Sequence, residues 1–239
     1  MPTTMLVTMI LGFALSISVA VAIGMASLVG AWQADLNFLA VVKEMFGALN
    51  KFPLAAIPFF ILAGNLMESG GISARLVEFA KSIVGGIQGG LGATCVLTCM
   101  IFAAVSGSSV ATTFAIGAIL IPALIKHGYP TSYAAALQAT SAELGVVIPP
   151  SIPMILYGVS AEVSIGELFI AGVGPGLLIG VALMIFVIVY ARWKGYGKGD
   201  HEGRLPFWAA TRKAALALLM PVIILGGIYG GVFTPTEAS

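Results

Sequence analysis

The stretch Val105-Ser106-Gly107-Ser108-Ser109-Val110 places a hydroxyl-rich break inside membrane-grade apolar sequence. A second break follows at Gly145-Val146-Val147-Ile148-Pro149-Pro150-Ser151-Ile152-Pro153. Neither is flanked by the charges that mark a water-exposed loop. Backbone at bilayer depth leaves regular helix only where protein or a watery cavity surrounds it. Paired helix breaks are therefore the sequence mark of a transporter binding site.

Composition sets the frame. Of 239 residues, 59% are hydrophobic and 9% charged, and mean hydropathy is +1.06. Soluble domains carry about 25% charged residues, so this chain cannot cover a water-facing surface. The expected fold class is an all-α integral membrane protein. A net charge of +1 gives no reason to expect a nucleic-acid partner. Cys95 and Cys99 lie four apart, on one helix face, and read as packing residues too few for a metal cage.

Spans of about 20 apolar residues cross a bilayer. The first expected span runs from Met5 to Leu28 and is read as retained, because no basic segment precedes it. A polar stretch with Asp35, Lys43, Glu44 and Lys51 follows, then a short span from Phe52 to Met67. Glu68 to Lys81 reads as an amphipathic interfacial helix, and Ile83 to Ala104 as a long span softened by glycines. Residues 105–123 are too short and too broken for two crossings, so a re-entrant hairpin is expected there. Pro149-Pro150 must interrupt a helix over 131–160, because proline lacks a donor and clashes with the preceding turn. Ser164 to Tyr190 is the cleanest span, and Ala214 to Val232 the last.

In outline, residues 1–82 form scaffold spans and an interfacial arm helix. Residues 83–190 form the transport segment, 191–213 a loop, and 214–239 the start of a second, truncated half. The loop holds six of the eleven basic residues, Arg192, Lys194, Lys198, Arg204, Arg212 and Lys213. The positive-inside rule makes it cytoplasmic. Counting back puts Lys126 and His127, and with them the hairpin base, on that side too. At the end of the chain, Thr234 or Thr236 can cap a helix with Glu237 in its first turn.

The chemistry sits at the breaks. Ser106, Ser108, Ser109 and Thr112 offer hydroxyls beside Gly107, and Gly145 offers carbonyls ahead of the prolines. Hard cations take such oxygens. Thr140, Ser141, Pro149, Pro150 and Ser151, with Ser108 and Ser109, would flank a substrate. The alternative is that small hydroxyl residues simply pack helices in lipid. Glu143 is the one acid in the broken region: a cation ligand, a proton relay or a buried partner, or else a boundary residue. Asn65 and Gln138 read as interhelical hydrogen-bonding residues. His127 and His201 read as solvated turn residues. No hydrolase elbow, phosphate loop, dinucleotide fingerprint or zinc motif is present. An intramembrane enzyme using Ser108 or Glu143 lacks a base, and a non-transporting scaffold is the third reading.

Three ordered runs carry a family resemblance. They are Val105-Ser106-Gly107-Ser108-Ser109-Val110-Ala111, Ile148-Pro149-Pro150-Ser151-Ile152-Pro153-Met154, and Gly227-Ile228-Tyr229-Gly230-Gly231-Val232-Phe233-Thr234-Pro235-Thr236-Glu237-Ala238. With Ala115-Ile116-Gly117, Ala134-Ala135-Ala136 and Val163-Ser164-Ile165-Gly166, the chain resembles the large membrane subunit of TRAP transporters, the tripartite ATP-independent periplasmic transporters. That resemblance implies an elevator-type fold of two inverted repeats, each with a re-entrant hairpin, of which this chain holds the first and the start of the second. It also implies sodium-coupled import of an organic acid, such as a C4-dicarboxylate, across a bacterial or archaeal inner membrane. Expected partners are a small TRAP membrane subunit, a periplasmic substrate-binding protein, the organic anion and the lipid bilayer. Sodium is the coupling ion; no cofactor and no other metal are expected. The resemblance assigns Ser106 to Ser109 and Gly145 to Ser151 to the first sodium site and the substrate flank.

Overall fold

The computed structural model describes residues 2–198 and 204–238. The protein is all α among these residues. His201 lies outside them. Four helices are long and apolar enough to cross a membrane, and the bent pair around Pro149-Pro150 brings a fifth crossing if it counts as one span. The protein is a multi-pass membrane protein.

Two compact units divide at Phe52/Pro53, not at residue 82. The first holds α1 (Pro2–Ala14), α2 (Val19–Gln33) and α3 (Phe38–Leu49). The single span expected over Met5–Leu28 is instead two short helices. Ser16, at φ 58°, turns the chain back so that Thr4 meets Gln33 at 2.6 Å. Closure is tight: a Cβ on Gly12 would stand 2.8 Å from Ala22 Cβ. α3 carries the polar residues Lys43 and Glu44 and is capped by Asn37, which accepts from Leu39 N–H at 2.9 Å.

The second unit contains α4 (Ala56–Ser69), α5 (Ile72–Val84), α6 (Gly90–Ser106), α7 (Ser109–Lys126), α8 (Thr131–Ala142), α9 (Leu144–Val147), α10 (Ile152–Ala161), α11 (Ile165–Lys194) and α12 (Phe207–Tyr229). α6 is its centre. Fourteen of its 17 residues are buried, against α4, α5, α7, α8, α9, α11 and α12. A helix that is apolar on every side is stable in that position.

The hairpin is larger than the expected 105–123. Its first arm is α6, part of what reads in sequence as a separate span over Ile83–Ala104, and its second arm is all of α7. Both arms root at one end of the molecule. A Cβ on Gly89, just before α6, would stand 3.0 Å from Ala191 near the end of α11. Just after α7, Tyr129 packs on Tyr196, just after α11, with ring centroids 5.8 Å apart. Tyr133 and Tyr190 complete the cluster, stacked at 5.3 Å. Chain that enters and leaves beside the same end of α11 forms a helical hairpin, whose second arm is by itself long and apolar enough to cross a membrane. A band of tyrosines is the usual anchor where a membrane protein meets the headgroups.

The basic connection is shorter than 191–213. Arg192 and Lys194 belong to the last turn of α11, and Arg212 and Lys213 sit on α12. Arg204 donates from Nε to Ser82 O at 2.9 Å and from Nη2 to the same oxygen, satisfying a carbonyl in the last turn of α5. Gln88 Nε2 donates to Tyr196 O at 3.1 Å. The helix read as an interfacial arm packs its apolar face inward: α5 lies on α6 and α12, with Leu76 and Ala80 buried. At the far end Thr234 does act as a cap. Its N–H and hydroxyl donate to Glu237 Oε2 at 2.8 and 2.9 Å, and Glu237 N–H returns to Thr234 Oγ1 at 3.4 Å. This is the reciprocal capping box, and the two Thr234 bonds hold the Glu237 carboxyl below the usual carboxylate range.

Single cysteines placed at Gln88 and at Lys126 should react with a membrane-impermeant maleimide from the same side of sealed vesicles. Labelling from opposite sides would mean that the two arms do not return the chain to one side of the membrane.

Candidate functional site: two helix breaks in contact

The two breaks lie against each other. Ile152 N–H donates to Gly107 O at 3.1 Å. Gly107 caps α6 in the left-handed region, φ 60°, where glycine alone is unstrained. A Cβ there would also stand 2.6 Å from Pro150 O. Gly145 is equally confined: its Cβ would meet Ser108 C and Ser109 N at 3.0 Å. Contact between the breaks is therefore backbone to backbone, permitted by two glycines.

The first break is a closed ring of hydroxyls. Thr112 Oγ1 donates to Ser108 O at 2.8 Å. With that proton committed, Ser106 Oγ, 3.3 Å from Thr112 Oγ1, is the donor of the pair. Ser108 N–H in turn points at Ser106 Oγ, 3.5 Å away, and Ser108 Oγ caps α7 by accepting from Ala111 N–H at 3.3 Å. Ser106 and Thr112 are buried. The hydroxyl protons of Ser106 and Thr112 are both used inside the tip, so what these two have left is lone pairs. Ser109 is half-buried and its carbonyl accepts from Thr113 Oγ1 at 2.8 Å.

The second break follows from proline arithmetic. In a continuous helix, residues 149 and 150 would donate to the carbonyls of Gly145 and Val146, four residues back. Neither proline has an N–H. Ser151 replaces one donor: its Oγ donates to Val146 O at 2.6 Å and accepts from Met154 N–H at 3.4 Å, capping α10. The Gly145 carbonyl receives no backbone N–H among the described residues. The helix pair bends by 40° at this point. Pro149, Pro150 and Ser151 are buried.

Other predicted site residues fall elsewhere. Thr140 is exposed and its hydroxyl is spent on Ala136 O at 2.9 Å. Ser141 is buried and bonds Leu137 O at 2.7 Å. Both hydroxyls serve their own helix instead of the breaks. Glu143, at the α8–α9 junction, is exposed. Gln138 is the interhelical group expected of it. Fully buried, it donates to Thr112 O at 3.2 Å and accepts from Cys95 Sγ at 3.0 Å, tying α8 to both hairpin arms. Asn65, by contrast, is exposed on α4 and makes no interhelical bond among the described residues.

Three contributors were not anticipated from sequence. Gly64 of α4 stands where a Cβ would meet Ser106 Cβ at 3.3 Å, so α4 walls the tip. Gly172 and Gly176 of α11 are buried, and a Cβ on them would meet Val147 O and Ile148 Cγ1, each at 2.7 Å. The signal was available as Gly172, Gly176 and Gly180, glycines every fourth residue, the pattern that lets membrane helices approach closely.

A cavity of about 370 Å³ adjoins Pro149, bounded by Met100, Ile101, Ile148, Leu177 and Leu218 among others. Its walls are apolar, so it has no donors to hold a carboxylate.

The family model described as "Tripartite ATP-independent periplasmic transporter, DctM component" matches residues 3–239. The chain belongs to this family. Among DctM relatives, the C4-dicarboxylate TRAP transporter large permease protein of Vibrio cholerae is 41% identical, over 100% of this chain and 53% of its own length. The isethionate TRAP transporter permease protein DctMQ of Oleidesulfovibrio alaskensis is 44% identical, over 93% of this chain and 35% of its own length. The ectoine TRAP transporter large permease protein of Halomonas elongata is 39% identical, over 100% of this chain and 56% of its own length. The chain spans about half the length of the curated relatives it matches. The names of these relatives are those of transporter permeases and not of enzymes.

Gly107→Ala should destabilise the fold by about 1–3 kcal/mol, combining left-handed strain with the Pro150 contact. Gly174→Ala is the control, since Gly174 has open space around it and alanine favours helix by about 1 kcal/mol. Thermal unfolding in detergent reads both. Equal melting temperatures for the two variants would show that the breaks do not depend on close contact.

Proposed function

We propose that this chain forms the hairpin and broken-helix part of a large permease subunit that imports an organic acid together with sodium. The carrying observation is the Ile152 N–H to Gly107 C=O bond, which sets two lipid-depth interruptions side by side. Around it, Ser106 Oγ and Thr112 Oγ1 have lone pairs but no spare protons, and Gly145 C=O has lost its helical donor. An electron-rich, proton-poor set of oxygens suits a hard cation.

The anion takes the opposite polarity. Ser109 and Val110 N–H open α7 with no backbone acceptor among the described residues, and a helix N-terminus favours negative charge. α10 is the poorer donor, because Ile152 N–H is already bonded and Pro153 has none. We therefore assign the substrate carboxylate to the start of α7, and the cation to Ser106, Thr112 and Gly145. Ser108 separates the two positions. Pro150 and Ser151 hold the second break in place without touching the solute.

The relatives' names carry C4-dicarboxylate and isethionate, which supports an acidic solute. The proposal includes an elevator-type movement, a small membrane subunit, a periplasmic binding protein that delivers the solute, and residence in the inner membrane. The fusion name DctMQ of one relative supports the small subunit.

Within the complete permease reconstituted with its binding protein, Ser106→Ala and Thr112→Ala should each weaken the dependence of uptake on sodium, raising the half-saturating concentration by about tenfold for a lost ligand. Unchanged sodium dependence in both variants would remove the cation from this tip. Partner binding without flux in the unaltered complex would favour a scaffold role instead.

A further inference from the structure

We propose that the groove between α5 and α12 binds the phosphodiester headgroup of an anionic membrane phospholipid. The two helices run antiparallel. Arg204 reaches Ser82 O, the Phe79 and Phe207 rings lie 6.1 Å apart, and Lys213 Nζ stands 3.3 Å from Glu78 Oε2. Beside that ion pair is a cavity of about 610 Å³, bounded by Gly71, Arg75, Glu78, Arg212, Lys213 and Leu216.

Charge decides what fits it. Three cations face one carboxylate, and that carboxylate is engaged by Lys213. Neither Arg75 nor Arg212 has a carboxylate partner among the described residues. Both guanidinium groups are exposed and so free to meet an anion. Guanidinium forks match phosphate oxygens in pairs.

The surroundings decide the source of the phosphate. Leu216, on the rim, and Trp208, two turns earlier on α12, are each 80% exposed. An acyl chain laid along Leu216 and an indole at headgroup depth are the contacts a lipid makes. A free phosphate has no use for them. The groove opens along the first turns of α12, which follow the basic connection, and the distribution of Lys and Arg makes that connection cytoplasmic. That leaflet is where anionic lipids attract basic side chains. Gly71, at φ 68° with open space around it, leaves the floor clear.

The complete permease, delipidated and returned to nanodiscs, should retain phosphatidylglycerol over phosphatidylcholine when read by native mass spectrometry. Arg75→Gln combined with Arg212→Gln should lower that retention by about tenfold to thirtyfold, the scale for two basic residues near a charged membrane. Should the double variant not fold, Glu78→Gln supplies the opposite sign: removing the one carboxylate should raise retention by about fivefold. A Lys43→Gln, Lys51→Gln variant, altered in the other unit, should behave as the unaltered protein. Retention unaffected by both the arginine and the glutamate changes would overturn the site. So would stabilisation by inorganic phosphate equal to that by phosphatidylglycerol, because the ligand would then be a soluble anion.

Discussion

A backbone carbonyl in hydrocarbon must find a donor, and in this protein the carbonyl of Gly107 finds it on another broken helix. The Ile152 N–H to Gly107 C=O bond contributes only about 1 kcal/mol net in water. In lipid, leaving either partner unsatisfied costs several times more. The two breaks can therefore exist only together. Gly107 must adopt the left-handed turn for its carbonyl to face α10, and Gly145 must lack a side chain for the Ser108–Ser109 backbone to come within reach. Neither position tolerates a Cβ without moving the other break.

The rest of the second unit holds that contact from two directions. At the base, tyrosines and the Arg204 and Gln88 bonds fix the roots of the hairpin to the ends of α5 and α11. Around the tip, cohesion comes from absent side chains: Gly64 of α4 lets that helix close on Ser106, and Gly172 and Gly176 of α11 let it close on Val147 and Ile148. Gln138 links the two regions, buried between both arms. Hydrophobic burial does little to discriminate here, because lipid is as apolar as the core. Close packing and satisfied polar groups decide the fold.

Some of this was legible in the sequence, and for stated reasons. Proline at 149 and 150 must strip donors from 145 and 146, so the second break and the freed carbonyl can be counted out in advance. The serine caps at 108 and 151 are likewise chemical necessities of a helix start, and Thr234 with Glu237 is a legible capping box. Other features were hidden. The turn at Leu15–Ser18 has no glycine or proline, and Ser16 holds a positive φ without advertising it, so α1 and α2 read as one span. The first hairpin arm resembles a transmembrane helix in composition; only its burial on nearly every side shows that protein and not lipid surrounds it. Arg212 and Lys213 looked like loop residues because charge suggests water, yet they sit on a helix whose neighbour presents Glu78. Thr140 and Ser141 were legible as hydroxyls but not as hydroxyls already spent on their own helix.

The tip also has a chemical direction that composition alone does not express. The hydroxyls of Ser106, Ser108, Ser109 and Thr112 can each donate or accept. Their order settles it: Thr112 sits one turn beyond Ser108 and gives its proton to Ser108 O, which makes Ser106 the donor to Thr112. The protons run inward and the lone pairs of Ser106 and Thr112 remain. On the other side of Ser108, the N–H groups of Ser109 and Val110 have no backbone acceptor among the described residues. Under the proposed function, a cation on the lone pairs would hold the closed ring and fix the start of α7, where the anion would dock. Each ligand would then bind a tip the other had already ordered, and coupling of that kind must be equal in both directions. Under the proposed function, co-transport would follow from the order of these hydroxyl residues.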